Sequence, residues 1–103
     1  MALAMTRFRG HGLYILDEPE AALSPTAQMA LLARLYELAR NDSQLIIATH
    51  SVIISALPDA DVYEITEKGI NKTEYVKTSH YNIMKHFINS PEKMVSDLIG
   101  KER

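Results

Sequence analysis

Asp17 and Glu18 stand side by side at the end of an unbroken apolar run, Leu13-Tyr14-Ile15-Leu16, and His50 closes another, Leu45-Ile46-Ile47-Ala48-Thr49. Adjacent acids suit a centre that handles phosphoryl groups. Asp17 can orient a magnesium ion through its water shell, and Glu18 can polarise an attacking water. An imidazole in the position of His50 can hydrogen-bond a phosphoryl oxygen and register whether it is there. Each part alone has an ordinary explanation: Asp-Glu-Pro equally suits a solvated turn after a core strand, and a histidine at a strand end is more often structural. The pair, about 30 residues apart and each following an apolar strand, is the stronger signal.

These residues need elements that bring them together. Four apolar residues without alternation, beginning after Gly12, predict a strand buried on both faces. Ser24 supplies an N-cap oxygen and Pro25 suits a first helical turn. Met29, Leu31, Leu32, Leu35, Leu38 and Ala39 then recur at helical spacing, which predicts a helix over 25–40. Asn41-Asp42-Ser43 breaks it, and Leu45–Thr49 forms the second strand. A single-helix connection makes the two strands parallel with a right-handed crossover, so both carboxyl ends face the same way, where open parallel sheets bind ligands. Successive strand side chains alternate, but the chain turns at the strand end, so Asp17 and Glu18 can both reach that crevice. Downstream, 52–57 reads as helical and 58–61 as a turn, with 62–66 and 70–76 as a hairpin around Glu67-Lys68-Gly69. Thr78 or Ser79 can cap a helix carrying Tyr81, Ile83, Met84, Phe87 and Ile88. Ser90-Pro91 opens another with Met94, Val95, Leu98 and Ile99, stopped at Gly100.

Leu13-Tyr14-Ile15-Leu16-Asp17-Glu18-Pro19 resembles the Walker B motif of ABC-type ATPases. Glu20-Ala21-Ala22-Leu23-Ser24-Pro25 resembles their D-loop, and Ile46-Ile47-Ala48-Thr49-His50-Ser51 their switch-histidine loop. The likeness covers residues 12–51. It implies an α/β fold that is part of a P-loop NTPase, with a parallel βαβ core, a β-hairpin and C-terminal helices at 62–103, so that 1–103 is the C-terminal portion of one ATPase domain. It also implies roles: Asp17 for the magnesium that accompanies ATP, Glu18 for the attacking water, His50 for the γ-phosphate, and Ala22, Leu23 and Ser24 for contact at the nucleotide with a second ATPase subunit. Glu-Ala-Ala-Leu-Ser-Pro in place of the Thr-Ser-Ala-Leu-Asp type of transporter ATPases makes the chain more similar to stand-alone AAA-type and repair-related members of the ABC superfamily.

Two expected parts are missing from the sequence. A phosphate cradle needs G-x-x-x-x-G-K-[ST], which Gly10, Gly12, Gly69 and Gly100 do not form, and no Leu-Ser-Gly-Gly-Gln-like signature is present. Without a cradle, nothing holds a nucleotide against Asp17 and Glu18. The chain alone is therefore expected neither to bind ATP tightly nor to hydrolyse it, and to be the C-terminal part of a longer ATPase that starts within a family helix. In the family fold the switch-histidine strand lies between the Walker B strand and the phosphate-loop strand. By that likeness Leu45–Thr49 would expose an apolar edge and invite pairing with another copy or with the absent N-terminal half. Two rival functions remain open. One is a non-catalytic interaction or dimerisation module that keeps the βαβ unit without its chemistry. The other is a metal-dependent phosphohydrolase using Asp17, Glu18, Glu20 and His50 directly, for which two acids and one histidine are a thin ligand set.

Composition bounds the rest. At 103 residues the chain is one domain or a piece of one. A net charge of −2 with no basic block removes the electrostatic footprint of a nucleic-acid binder, and zero cysteines exclude disulfides and thiolate chemistry. No apolar run approaches a membrane span and no signal peptide is legible, so a cytoplasmic protein is expected. His11, His80 and His86 lack zinc-type spacing and read as surface or partly packed. Met5, Met29, Met84 and Met94 read as core residues, Tyr63, Tyr75 and Tyr81 as packing residues, and Ser51 and Ser55 as lacking a partner base in sequence.

Overall fold

A computed structural model describes residues 12–100 together with the backbone of 2–5. The readings of His11 and of the Met5 side chain lie outside the described residues. The chain forms a five-stranded mixed sheet: β1 (Ala2–Met5), β2 (Gly12–Asp17), β3 (Ser43–Thr49), β4 (Asp61–Thr66) and β5 (Gly69–Thr73), in the spatial order β2-β3-β1-β4-β5. Three helices accompany it: α1 (Pro25–Arg40), α2 (Ser79–Asn89) and α3 (Pro91–Ile99). As expected, β2, α1 and β3 make a strand-helix-strand unit with parallel strands, registered from Gly12↔Ser43 to Asp17↔Ala48. The expected hairpin is β4–β5, closing from Val62↔Thr73 to Thr66↔Gly69. The 52–57 stretch is tighter than expected, with a 3₁₀ turn over Ile54–Ala56 only.

Local chemistry sets the boundaries of α1. The Ser24 hydroxyl accepts the Ala27 N–H at 3.1 Å, Pro25 opens the first turn, and Asp42, with φ 59°, turns the chain back toward β3. The core lies between α1 and one face of the sheet. Leu35, Leu45, Ile47, Ile54 and Leu57 are buried, with Leu16, Leu31, Leu32, Tyr36, Leu38 and Ala39 packed against them. The register puts Tyr14 beside Leu45 and Leu16 beside Ile47 on this face, and Leu13 beside Gln44 and Ile15 beside Ile46 on the other.

Four expectations are corrected here. Leu45–Thr49 has no free edge, because β1 pairs with β3 antiparallel from Ala2↔Thr49 to Met5↔Ile46, and residues 2–5 are strand rather than helix. A strand whose Leu45, Ile47 and Thr49 are wholly buried needs partners on both sides, and β1 is the second. Among the described residues the edge strand on this side is β2, which is not buried on both faces: Leu13, Tyr14 and Ile15 are exposed, because α1 covers one face of the sheet and packs chiefly over β3. Met29 and Met84 are exposed and Met94 is half-buried, so these methionines are not the core residues their apolar spacing predicted.

The C-terminal half extends away from this core. α2 carries a half-buried Tyr81 and Phe87, but Ile83, Ile88, Leu98 and Ile99 on α2 and α3 are exposed. Tyr75 and Tyr81 meet edge-to-face, 4.8 Å between ring centroids, and the Tyr75 hydroxyl donates to the Val52 carbonyl. The molecule spans 56 × 33 × 19 Å, with a radius of gyration of 15.7 Å against about 13 Å for a compact chain of this size.

Candidate active site

The carboxyl ends of β2 and β3 lie side by side, and the residues that follow them fold into two facing loops. Glu18 leaves β2 with its N–H donated to the Ala48 carbonyl at 2.7 Å and its backbone in the left-handed region, φ 48°. That conformation turns the Glu18 side chain out of the strand alternation and toward the end of β3. There Glu18 Oε1 lies 2.7 Å from His50 Nδ1, with the imidazole donating when Nδ1 carries the proton. Both side chains are about half-exposed, which suits a site that must admit water and substrate, and screening makes the contact a minor contributor to stability. Asp17 occupies the last position of β2, exposed, beside Ala48.

A second acid braces the pair. Glu20 Oε1 accepts the Thr49 hydroxyl at 2.6 Å, and Oε2 accepts the His50 N–H at 3.2 Å, so one carboxylate fixes the exit of β3 from the opposite loop. Thr49 is wholly buried, and its oxygen in turn accepts the Ser51 N–H at 3.0 Å. Gln28, on the first turns of α1, makes a parallel brace. Its Nε2 donates to the Leu23 carbonyl at 3.1 Å and its Oε1 accepts the Ser51 hydroxyl at 2.5 Å. The Ser51 oxygen also accepts the N–H groups of Ile53 and Ile54, both at 3.1 Å, and so starts the 3₁₀ turn. The loop carrying Ala22, Leu23 and Ser24 is exposed, and Ala22 is also left-handed, φ 64°. Non-glycine residues persist in that region only where their surroundings hold them.

The network continues toward α2. The Ser55 hydroxyl donates to the Ser51 carbonyl at 2.7 Å and lies 3.3 Å from His80 Nε2. Since the single hydroxyl proton is already used, Nε2 is the donor in that contact. Burial lowers the pKa of His80 below its ordinary value, and Glu64 acts in the opposite sense.

The structure therefore brings Glu18 and His50 into contact, places Asp17 at the end of β2 beside Ala48, and sets Ala22, Leu23 and Ser24 on the adjoining outer loop. Glu20, Thr49, Ser51 and Gln28 complete the arrangement. Glu20 carries the signal of its acid-rich context, whereas Gln28 carries none, because its partners lie 23 residues downstream and in the preceding loop. Magnesium fits this donor set in one form only. Among the described residues no group of three or more His, Asp and Glu side chains comes together to hold a metal ion, and both oxygens of Glu20 are engaged. A magnesium ion that arrives on phosphates needs only one or two carboxylates and several waters, which the exposed Asp17 can supply.

Comparison with known proteins agrees with this geometry at the level of the family. Residues 1–56 match the model of a family described as "AAA domain, putative AbiEii toxin, Type IV TA system". A stretch of 69 residues, 67% of the chain, is 44% identical to the Chromosome partition protein Smc of Mycolicibacterium paratuberculosis, and the chain spans 6% of the length of that relative. No solved structure matches the chain. No helix among the described residues is long and apolar enough to cross a membrane. The family match takes in more than half of the chain and both strand ends that carry Asp17, Glu18 and His50, so the chain belongs to the AAA-domain family.

Proposed function

We propose that this chain is the water-activating and phosphate-sensing portion of an ABC-type P-loop ATPase, with residues 12–51 as its Walker B to switch-histidine unit. The observation that carries this reading is the Glu18–His50 contact, 2.7 Å across the carboxyl ends of two parallel strands. Glu18 is the general base: its carboxylate takes a proton from a water as the water oxygen bonds to the γ-phosphorus of ATP and the bond to the β,γ-bridging oxygen breaks, giving ADP and phosphate. His50, as the imidazolium, donates from Nδ1 to hold the Glu18 carboxylate and from its other ring nitrogen to a γ-phosphate oxygen. Asp17 would receive the magnesium that accompanies ATP, and the ion would supply neutralisation of phosphate charge. Ala22, Leu23 and Ser24 form the surface that meets a second ATPase subunit. The phosphate cradle comes from another segment or subunit, and the driven process belongs to the assembled protein.

The dispersal of the acids disfavours a phosphohydrolase that holds its own metal, since Glu20 serves Thr49 and His50. Titration of the chain with a fluorescent ATP analogue and magnesium, beside a Glu18→Gln variant, tests the half-site directly. No saturation below about 1 mM is expected for either protein, because binding energy resides in the missing cradle. Saturable micromolar binding that Glu18→Gln tightens would assign a complete site to this chain alone.

A further inference from the structure

The turn that follows His50 is clasped from the start of α2, and we infer that Tyr75 and His80 are positioning residues for His50, tying its loop to the C-terminal helices. The phosphate-sensing role of His50 comes from the function proposed above, and the inference rests on that reading for its meaning. The clasp has two fingers. The Tyr75 hydroxyl donates to the Val52 carbonyl, and His80 Nε2 donates to the Ser55 hydroxyl at 3.3 Å. Ser55 is 1% exposed, and its own proton goes to the Ser51 carbonyl at 2.7 Å, which also accepts the Ser55 N–H at 3.1 Å. A continuous run of hydrogen bonds therefore joins α2 to the residue beside His50. From α1, Gln28 holds the Ser51 hydroxyl, and from the loop after β2, Glu20 holds the His50 N–H. The place of His50 is set by these braces and the clasp together.

The segment that carries the clasp is built to be stiff. Thr78 is wholly buried, and its hydroxyl donates to the Tyr75 carbonyl at 2.8 Å and accepts the Tyr81 N–H at 3.3 Å. Asn82 Nδ2 donates to the carbonyls of Val76 and Thr78, at 3.0 and 2.9 Å. The Tyr75 and Tyr81 rings meet edge-to-face, and the Ser79 N–H donates to Glu64 Oε2 on β4 at 2.6 Å. Burial, with Tyr81 beside it, raises the pKa of Tyr75, so its hydroxyl stays a donor at neutral pH. α2 leaves Ile83, Met84 and Ile88 exposed, yet the segment places two polar side chains on the turn after His50. A segment braced in this way moves as a unit, so a displacement of the turn passes to α2 rather than being absorbed. The coupling is reciprocal: whatever repositions His50 acts on α2, and whatever displaces α2 acts on His50.

Ring nitrogen-15 spectra of the histidines in the 103-residue chain, at about pH 7.5 where His80 is neutral, test this. In Tyr75→Phe and in His80→Ala, the His50 ring signals should move toward those of Glu18→Gln, in which the His50 contact is weakened. The His50 N–H should exchange with deuterium about 2- to 10-fold faster in both variants. His80→Gln keeps a donor amide and should retain the wild-type His50 signals. Conversely, Glu18→Gln should shift the His80 ring signals. Tyr75→Phe removes one hydroxyl and keeps its ring, so it decides the matter if His80→Ala does not fold. Unmoved His50 signals in the folded variants, a His80→Gln chain as perturbed as His80→Ala, or unmoved His80 signals in Glu18→Gln would each overturn the inference. No nucleotide enters the measurement. Its failure would leave the hydrolytic reading standing, and a failure of that reading would leave these shifts in place.

Discussion

Glu20 does more for this site than its neighbours in the acid run, although its own chemistry is only to accept hydrogen bonds. It satisfies the hydroxyl of a wholly buried Thr49 and the His50 N–H together. Truncation in Glu20→Ala leaves the Thr49 hydroxyl without this acceptor, at a cost of about 1 to 3 kcal/mol. Urea denaturation should register that loss, and a change below about 0.5 kcal/mol would contradict the bracing role. The juxtaposition of Glu18 and His50 was legible in the sequence because the preceding apolar runs and the spacing agreed. The Glu20–Thr49 and Gln28–Ser51 braces were not. They join side chains 29 and 23 residues apart, and such pairings follow no periodicity that a sequence displays. Exposure separated Met29 and Met84 from the core for a similar reason, since apolar spacing marks a helix face without saying whether anything covers it.

At the scale of elements, the β2-α1-β3 unit was readable throughout, because unbroken apolar strands, a serine cap followed by proline and a polar break each state one boundary. β1 was not. Ala-Leu-Ala-Met has weak strand preference, and it is its pairing with β3 and β4 that makes it a strand. That pairing removes the free edge on which the self-association expected from the sequence rested. The docking of α2 onto the Ser51–Ala56 turn passes through His80, and it makes stability depend on pH. Burial lowers the folded-state pKa of His80 below 6.5, so between the two values the unfolded chain binds more protons. The contribution is complete above about pH 6.5 and declines as pH falls through the lowered folded value. His80→Gln removes the titrating group. Between pH 7.5 and 5.0, the urea midpoint of the wild-type chain should therefore fall further than that of the variant. Equal falls would show that His80 does not couple α2 to pH.

The described residues hold the Glu18–His50 pair at the ends of β2 and β3, and the sequence carries no phosphate-cradle motif. Among the described residues β2 is an edge strand, and α2 and α3 leave Ile83, Ile88, Leu98 and Ile99 exposed. An elongated shape with uncovered apolar surface suits a part of a larger assembly better than a freestanding enzyme. The family match and the likeness to a far longer Smc protein are consistent with that view. We propose that Glu18 and His50 perform ATP hydrolysis once a cradle is present. The most direct measurement is ATP turnover by a chimera in which the 69-residue segment of this chain replaces its 44% identical counterpart in the Mycolicibacterium paratuberculosis Smc protein. Magnesium-dependent turnover above the level of a Glu18→Gln chimera, which should lose about 100-fold or more, is the predicted result. A folded chimera that binds ATP but turns it over no faster than its Glu18→Gln form would contradict the account.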